Sequence, residues 1–101
     1  MSVLAVNANS SVTAVVVEST VTFSCHVHNS TKVLWDFMDV VIVKDELVTK
    51  FAERHYVKHL NGTVELTIKN VQHCDAGLYR CSFLNDSGLS ECHFLLITIG
   101  K

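Results

Sequence analysis

The chain has 101 residues, of which 49% are hydrophobic and 18% charged, and its formal net charge is −2. That suffices for one packed core but not two, and interspersed acids and bases exclude the basic stripe of a nucleic-acid partner. No apolar run approaches the roughly 18 residues that cross a membrane, and Met1 opens no charged-and-apolar leader, so the stretch reads as part of a longer chain.

Strand-like patterns fill the sequence. Residues 2–10 read as a first edge strand ending in a polar break, and Val12 to Val17 as a second short strand. From Thr20 to Val27 the alternation is clean: Val21, Phe23, Cys25 and Val27 face one way, and Thr20, Thr22, Ser24 and His26 the other, as in a half-buried strand. Asn29-Ser30-Thr31 is a turn. Val33 to Met38 is a strand carrying the single tryptophan, Trp35, and Val40 to Val43 a further edge strand before the charged turn Lys44-Asp45-Glu46. Residues 51–60 are weakly patterned and are expected to hold a strand beginning near Arg54. Asn61-Gly62 is the strongest hairpin signal. Behind it Val64, Leu66 and Ile68 alternate with Thr63, Glu65, Thr67 and Lys69. Residues 70–75 form a corner with room for one helical turn at most. A strand through Tyr79, Cys81 and Phe83 follows, Asn85-Asp86-Ser87-Gly88 turns the chain, and Ser90 to Ile99 is the last strand.

The corner opens onto Asp75-Ala76-Gly77-Leu78-Tyr79-Arg80-Cys81. With Cys25 far upstream and Trp35 ten residues after it, this Asp-x-Gly-x-Tyr-x-Cys entry resembles an immunoglobulin domain over residues 12–99. The resemblance implies an all-β, two-sheet Greek-key sandwich with one inter-sheet disulfide, Cys25–Cys81, and Trp35 packed against it. Closing a loop of that length is worth about 4 kcal/mol in the chain-entropy model. It further implies Tyr79 in the core and a salt bridge from Arg54 to Asp75 across the bottom of the sandwich. The cysteine spacing, together with Asn85, Gly88, Cys92, Phe94 and Leu96, is similar to domains between the variable and intermediate sets. One domain is expected over residues 1–101, with its core in 12–99, as part of a larger ectodomain.

Four cysteines permit three connectivities. The pairing implied by the resemblance leaves Cys74 and Cys92 as thiols. Antiparallel pairing of the last two strands sets Cys92 near the level of Cys81 and Cys74 at the far corner, too distant for a bridge between them. Cys92 then reads as a small buried hydrophobe and Cys74 as exposed.

Outer faces carry the functional signal. Around Cys25 and Leu66 the outward residues are Thr20, Thr22, Ser24, His26, Thr63, Glu65, Thr67 and Lys69, with no large aliphatic among them. Around Trp35, Cys81 and Phe94 they are Leu34, Asp36, Met38, Leu78, Arg80, Ser82, Leu84, His93, Leu95 and Ile97. Side by side, these strands present an apolar patch rimmed by charge, which marks an interaction surface. The resemblance implies that such a sheet, C-C′-F-G in the family's lettering, binds a protein partner, including another copy of the same domain. The expected face is Leu34, Asp36, Met38, Arg80, Leu84, His93 and Leu95.

Four of the six asparagines, Asn9, Asn29, Asn61 and Asn85, open an Asn-x-Ser/Thr glycan acceptor, where about one was expected by chance. With a disulfide core they point to an extracellular or secreted chain, held at a membrane only through an anchor outside this stretch. His26-x-His28 has no third ligand at metal spacing, and no nucleophile elbow or phosphate-cradling loop occurs. No metal, cofactor or enzymatic activity is expected. The reading is an adhesion or recognition receptor domain. The alternatives are a structural module of an intracellular muscle or cytoskeletal array and a ligand-binding ectodomain of a growth-factor receptor.

Overall fold

A computed structural model describes residues 10–30, 32–45, 47–50, 53–86 and 88–101. The expected strand over residues 2–10 lies almost entirely outside them, as does Asn9. Nine strands are formed among the described residues: β1 (Ser10–Val16), β2 (Val21–His26), β3 (Val33–Phe37), β4 (Val40–Lys44), β5 (Leu47–Val48), β6 (His55–Leu60), β7 (Thr63–Ile68), β8 (Gly77–Asn85) and β9 (Gly88–Ile99). They make a six-stranded sheet in the order β1-β9-β8-β3-β4-β5 and a three-stranded sheet β2-β7-β6. All pairings are antiparallel except β1 on β9. The chain passes between sheets after β1, β2, β5 and β7, the Greek-key sandwich anticipated from the sequence.

Alternation sets the inner faces. Val21, Phe23 and Cys25 on β2 and Val64, Leu66 and Ile68 on β7 are buried against Val33, Trp35, Tyr79, Cys81, Phe83, Phe94 and Leu96 of the other sheet. A run of rings forms the centre: Phe23 lies 5.2 Å from Tyr79 and 5.0 Å from Phe94, and Trp35 lies 5.6 Å from Phe94. Each such side chain taken from water contributes on the order of 2 kcal/mol. The Trp35 Nε1–H has no hydrogen-bond partner, so the indole serves here as packing volume. On β4 the alternation breaks, because a register shift between Trp35 and Asp36 turns both Ile42 and Val43 inward.

The disulfide corrects the expectation. Cys25 bonds to Cys92, not to Cys81, with Cα atoms 6.1 Å apart. Cys81 and Cys92 are register partners on β8 and β9, so both side chains point into the core at the level of Cys25. The bridge still joins the two sheets. Cys81 remains a buried thiol and Cys74 an exposed one.

The corner before β8 is a single 3-10 turn, His73–Asp75. Arg54 forks onto Asp75, with Nη1 to Oδ2 at 2.7 Å and Nη2 to Oδ1 at 2.9 Å. The Gln72 backbone N–H donates to the same carboxylate at 2.7 Å. Buried Tyr79 donates its hydroxyl to the Asp75 carbonyl at 2.6 Å, and burial pushes its pKa up. These bonds hold the entry to β8 and thereby the phase of its outer face.

Candidate functional site: the outer face of the six-stranded sheet

Register fixes which outward residues lie beside one another, because directly paired residues share a face. One row runs Lys44 (β4), Leu34 (β3), Ser82 (β8), Glu91 (β9). The next runs Val41, Asp36, Arg80, His93 on the same four strands. Below it Leu78 pairs with Leu95, which pairs with Val12 of β1, and the Met38 backbone N–H donates to the Leu78 carbonyl at 2.9 Å. Above, Leu84 pairs with Leu89.

The middle row is an ionic belt. Arg80 Nε donates to Asp36 Oδ2 at 3.0 Å and its Nη2 to Asp39 at 3.3 Å, while its Nη1 lies 4.0 Å from Glu91. Glu91 in turn lies 2.9 Å from His93 Nε2. The hydrogen bond to Asp36 raises the already high pKa of Arg80, which therefore stays charged. Asp36 differs from its expected role. It is only 5% exposed, covered by the Arg80 side chain, and so it anchors the belt instead of offering itself to a partner.

The belt divides the apolar surface instead of rimming it. On one side Leu84 and Leu89 are well exposed, and with half-buried Leu34 they line a concavity of about 470 Å³ whose edges include Lys44, Arg80 and Glu91. On the other side Met38, Leu78, Leu95 and Val12 are exposed. On the opposite sheet β2 and β7 turn polar side chains outward, such as Thr22 hydrogen-bonded to Thr67 at 2.9 Å and Ser24 to Glu65 at 3.4 Å, while edge strand β6 exposes Tyr56 and Leu60.

Of the seven residues expected on the face, Leu34, Met38, Arg80, Leu84, His93 and Leu95 lie on it at least partly exposed. Sequence reasoning missed Lys44, Leu89 and Glu91. Leu89 falls between the expected turn, 85–88, and the expected last strand from Ser90, but β9 begins at Gly88, and the alternation from Cys92 continued backward marks Leu89 and Glu91 as neighbours on one face with His93.

Three acceptor asparagines gather at one end of the sandwich. Asn29 and Asn85 line one concavity, and Gly62, next to Asn61, accepts backbone hydrogen bonds from Val27 and His28. Asn29 and Asn61 are exposed. Asn85 is half-buried, and its Nδ2 donates to Ser90 Oγ at 2.6 Å.

Two sheets pinned by an inter-sheet disulfide, a tryptophan in the core and a tyrosine hydroxyl bonded back to the corner define an immunoglobulin-type sandwich. The immunoglobulin domain model matches residues 4–85, and the chain belongs to that family. No curated protein matches it. Among solved structures, a chimeric titin Z1Z2-Z1Z2 tandem is 24% identical with a TM-score of 0.78, over 89% of this chain and 46% of that one. The M1 domain from titin is 26% identical with a TM-score of 0.69, over 89% and 90%. The second immunoglobulin domain of the mouse polymeric immunoglobulin receptor is 15% identical with a TM-score of 0.75, over 91% and 98%. The chain spans about half the length of the titin tandems it matches, 46% and 45%.

Proposed function

We propose that this chain is an extracellular recognition domain that binds a protein partner through the outer face of β4, β3, β8 and β9. One observation carries the reading. Large aliphatic side chains lie exposed on both sides of the Arg80 belt, whereas the outer face of β2 and β7 is polar. Exposed apolar area flanked by fixed charge is what a protein partner buries. The acceptor asparagines support a secreted chain, and glycans on Asn29 and Asn61 would occupy the end of the sandwich and leave this face open.

The test displays the chain on cells and measures adhesion to like cells and to bare cells. Leu95→Arg should abolish adhesion with little change in Tm, whereas Thr22→Arg on the opposite sheet should leave it intact. Adhesion indifferent to Leu95→Arg overturns the reading.

A second reading has its own support. Similarity to the M1 domain from titin, at 26% identity over 89% of the chain, favours a structural module of an intracellular array. A mass shift on glycosidase treatment of protein from its native source would rule it out, and its absence would favour it.

A further inference from the structure

We infer that the free edge of β1 is a separate docking site, at which an extended, uncharged segment of another protein adds as a further strand to the six-stranded sheet. β1 ends that sheet and, among the described residues, pairs with β9 only. The register is unbroken over all 7 of its residues. Just beyond it the Val17 N–H donates to the Ile99 carbonyl at 2.9 Å, which fixes the phase of the ladder. Backbone groups alternate in direction along a strand. Ser11, Thr13 and Val15 therefore bond toward β9 as Val17 does, and Ser10, Val12, Ala14 and Val16 turn N–H and C=O to the free edge. The Val16 carbonyl is taken by the Ser19 N–H at 3.1 Å. What remains is a run of three residues, Ser10, Val12 and Ala14, with both groups open to an incoming backbone.

Natural sheet edges are ordinarily closed to such pairing by short length, charge or proline. Among the described residues β5, β2 and β6 are the other strands that end a sheet. β5 is 2 residues long, β6 exposes the charge of Lys58, and β2 turns outward Thr22 and Ser24, each already hydrogen-bonded to β7. β1, Ser-Ser-Val-Thr-Ala-Val-Val, has neither charge nor proline. Its residues that face the edge also carry the outward side chains, because both properties alternate with period two. Each of the last three continues an aliphatic row: Val12 beside Leu95, Ala14 beside Ile97 and Val16 beside Ile99. The larger five of these six are all exposed. A strand added at this edge lengthens every row by one residue. The segment that fits is therefore uncharged and apolar at alternate positions, held by main-chain bonds with its side chains setting specificity. A second copy of β1 fits less well. Paired antiparallel about Thr13, it would set Ser10 opposite Val16 at both ends, where the carbonyl is already taken. A short foreign segment needs only Ser10 to Ala14.

The probe is the peptide acetyl-Ser-Ser-Val-Thr-Ala-Val-Val-amide, which has the required pattern, titrated into the full chain and followed by amide NMR and hydrogen exchange. At about ten times its Kd, the amides of Ser10, Val12 and Ala14 should exchange about tenfold more slowly. Those of Ser11, Thr13 and Val15, already bonded to β9, should change little. The same peptide N-methylated at every residue keeps its side chains but loses its donors, and should not bind. Ala14→Pro removes an edge donor where proline is tolerated, since that N–H makes no ladder bond. It should keep Tm near wild type and weaken binding by about tenfold or more. A peptide that leaves the three amides unprotected overturns the inference, as does an N-methylated peptide that binds equally well. Undiminished binding to folded Ala14→Pro overturns it too, and the N-methylated peptide decides the matter if that variant does not fold. Protection of the same amides that grows with the concentration of the chain alone would give the edge to a second copy and likewise overturn the assignment to another protein.

Discussion

Cys81 and Cys92 face each other across β8 and β9 with both side chains in the core, and Cys92 alone is bonded to Cys25. The thiol left on Cys81 is fully buried. Burial, and to a lesser degree the charge of Asp36, pushes its pKa up to about 12. At neutral pH the thiolate there is a very minor species. In the native protein an alkylating reagent should therefore label exposed Cys74 promptly and Cys81 only after unfolding. A digest kept oxidised should join the peptides of Cys25 and Cys92, and a Cys25–Cys81 link would contradict the structure. Cys92→Ser opens a loop with a sequence separation of 67 residues, which should cost about 4 kcal/mol in the chain-entropy model. Denaturant titration measures it.

The Arg54–Asp75 pair makes stability depend on acid. Burial pushes the Asp75 pKa up, but the Arg54 fork and the Gln72 N–H outweigh it, and the net shift is downward. The carboxylate is therefore easier to protonate in the unfolded chain than in the folded one. Its stabilisation is complete above the ordinary carboxylate value of about 3.9 and is lost as pH falls through the lower folded value. Asp75→Asn should cost about 2–4 kcal/mol at neutral pH, because it leaves Arg54 facing an uncharged amide. The gap to wild type should then narrow in melts at pH 3. A gap that does not change with pH would mean that the pair contributes no charge-dependent stability.

Much of the sandwich was legible because strands β2, β7 and β8 each bury one face and solvate the other. Alternation of Val21, Phe23 and Cys25 against threonines and serines leaves one assignment of faces open. Other features had no local signal. Leu47-Val48 is too short for any period, so β5 went unseen. The register shift beside Trp35 buries Ile42 and Val43 in succession, which alternation does not anticipate. The disulfide turned on a choice between two cysteines that share a face and a level, and no spacing along the chain distinguishes them. Asp36 does point outward as its phase requires, yet a side chain from the neighbouring strand covers it. For the same reason the face reads from sequence as one patch and is in fact two, since the belt depends on which residues the register places side by side.

Gly77 links the family motif to the candidate face. Its φ is +144°, a conformation that L side chains rarely adopt, and a Cβ there would lie 2.8 Å from Phe37 Cε1 and 3.0 Å from Met38 Sδ. Phe37 stacks on Tyr79 at 4.5 Å, and Met38 Sδ accepts the Leu78 N–H at 3.3 Å. Alanine at this position would strain the backbone and displace two side chains, one under the core tyrosine and one on the outer face. Gly88 provides the control: its φ is +112°, but nothing lies within 4 Å of its added Cβ. Both substitutions should destabilise the fold by about 1–3 kcal/mol through backbone strain. Gly77→Ala should exceed Gly88→Ala by at least about 1 kcal/mol, since Phe37 is packed and cannot swing away freely. Equal losses in denaturant midpoint for the two variants would show that the close approach to Phe37 and Met38 carries no cost, and that the glycine is required for its backbone angle alone.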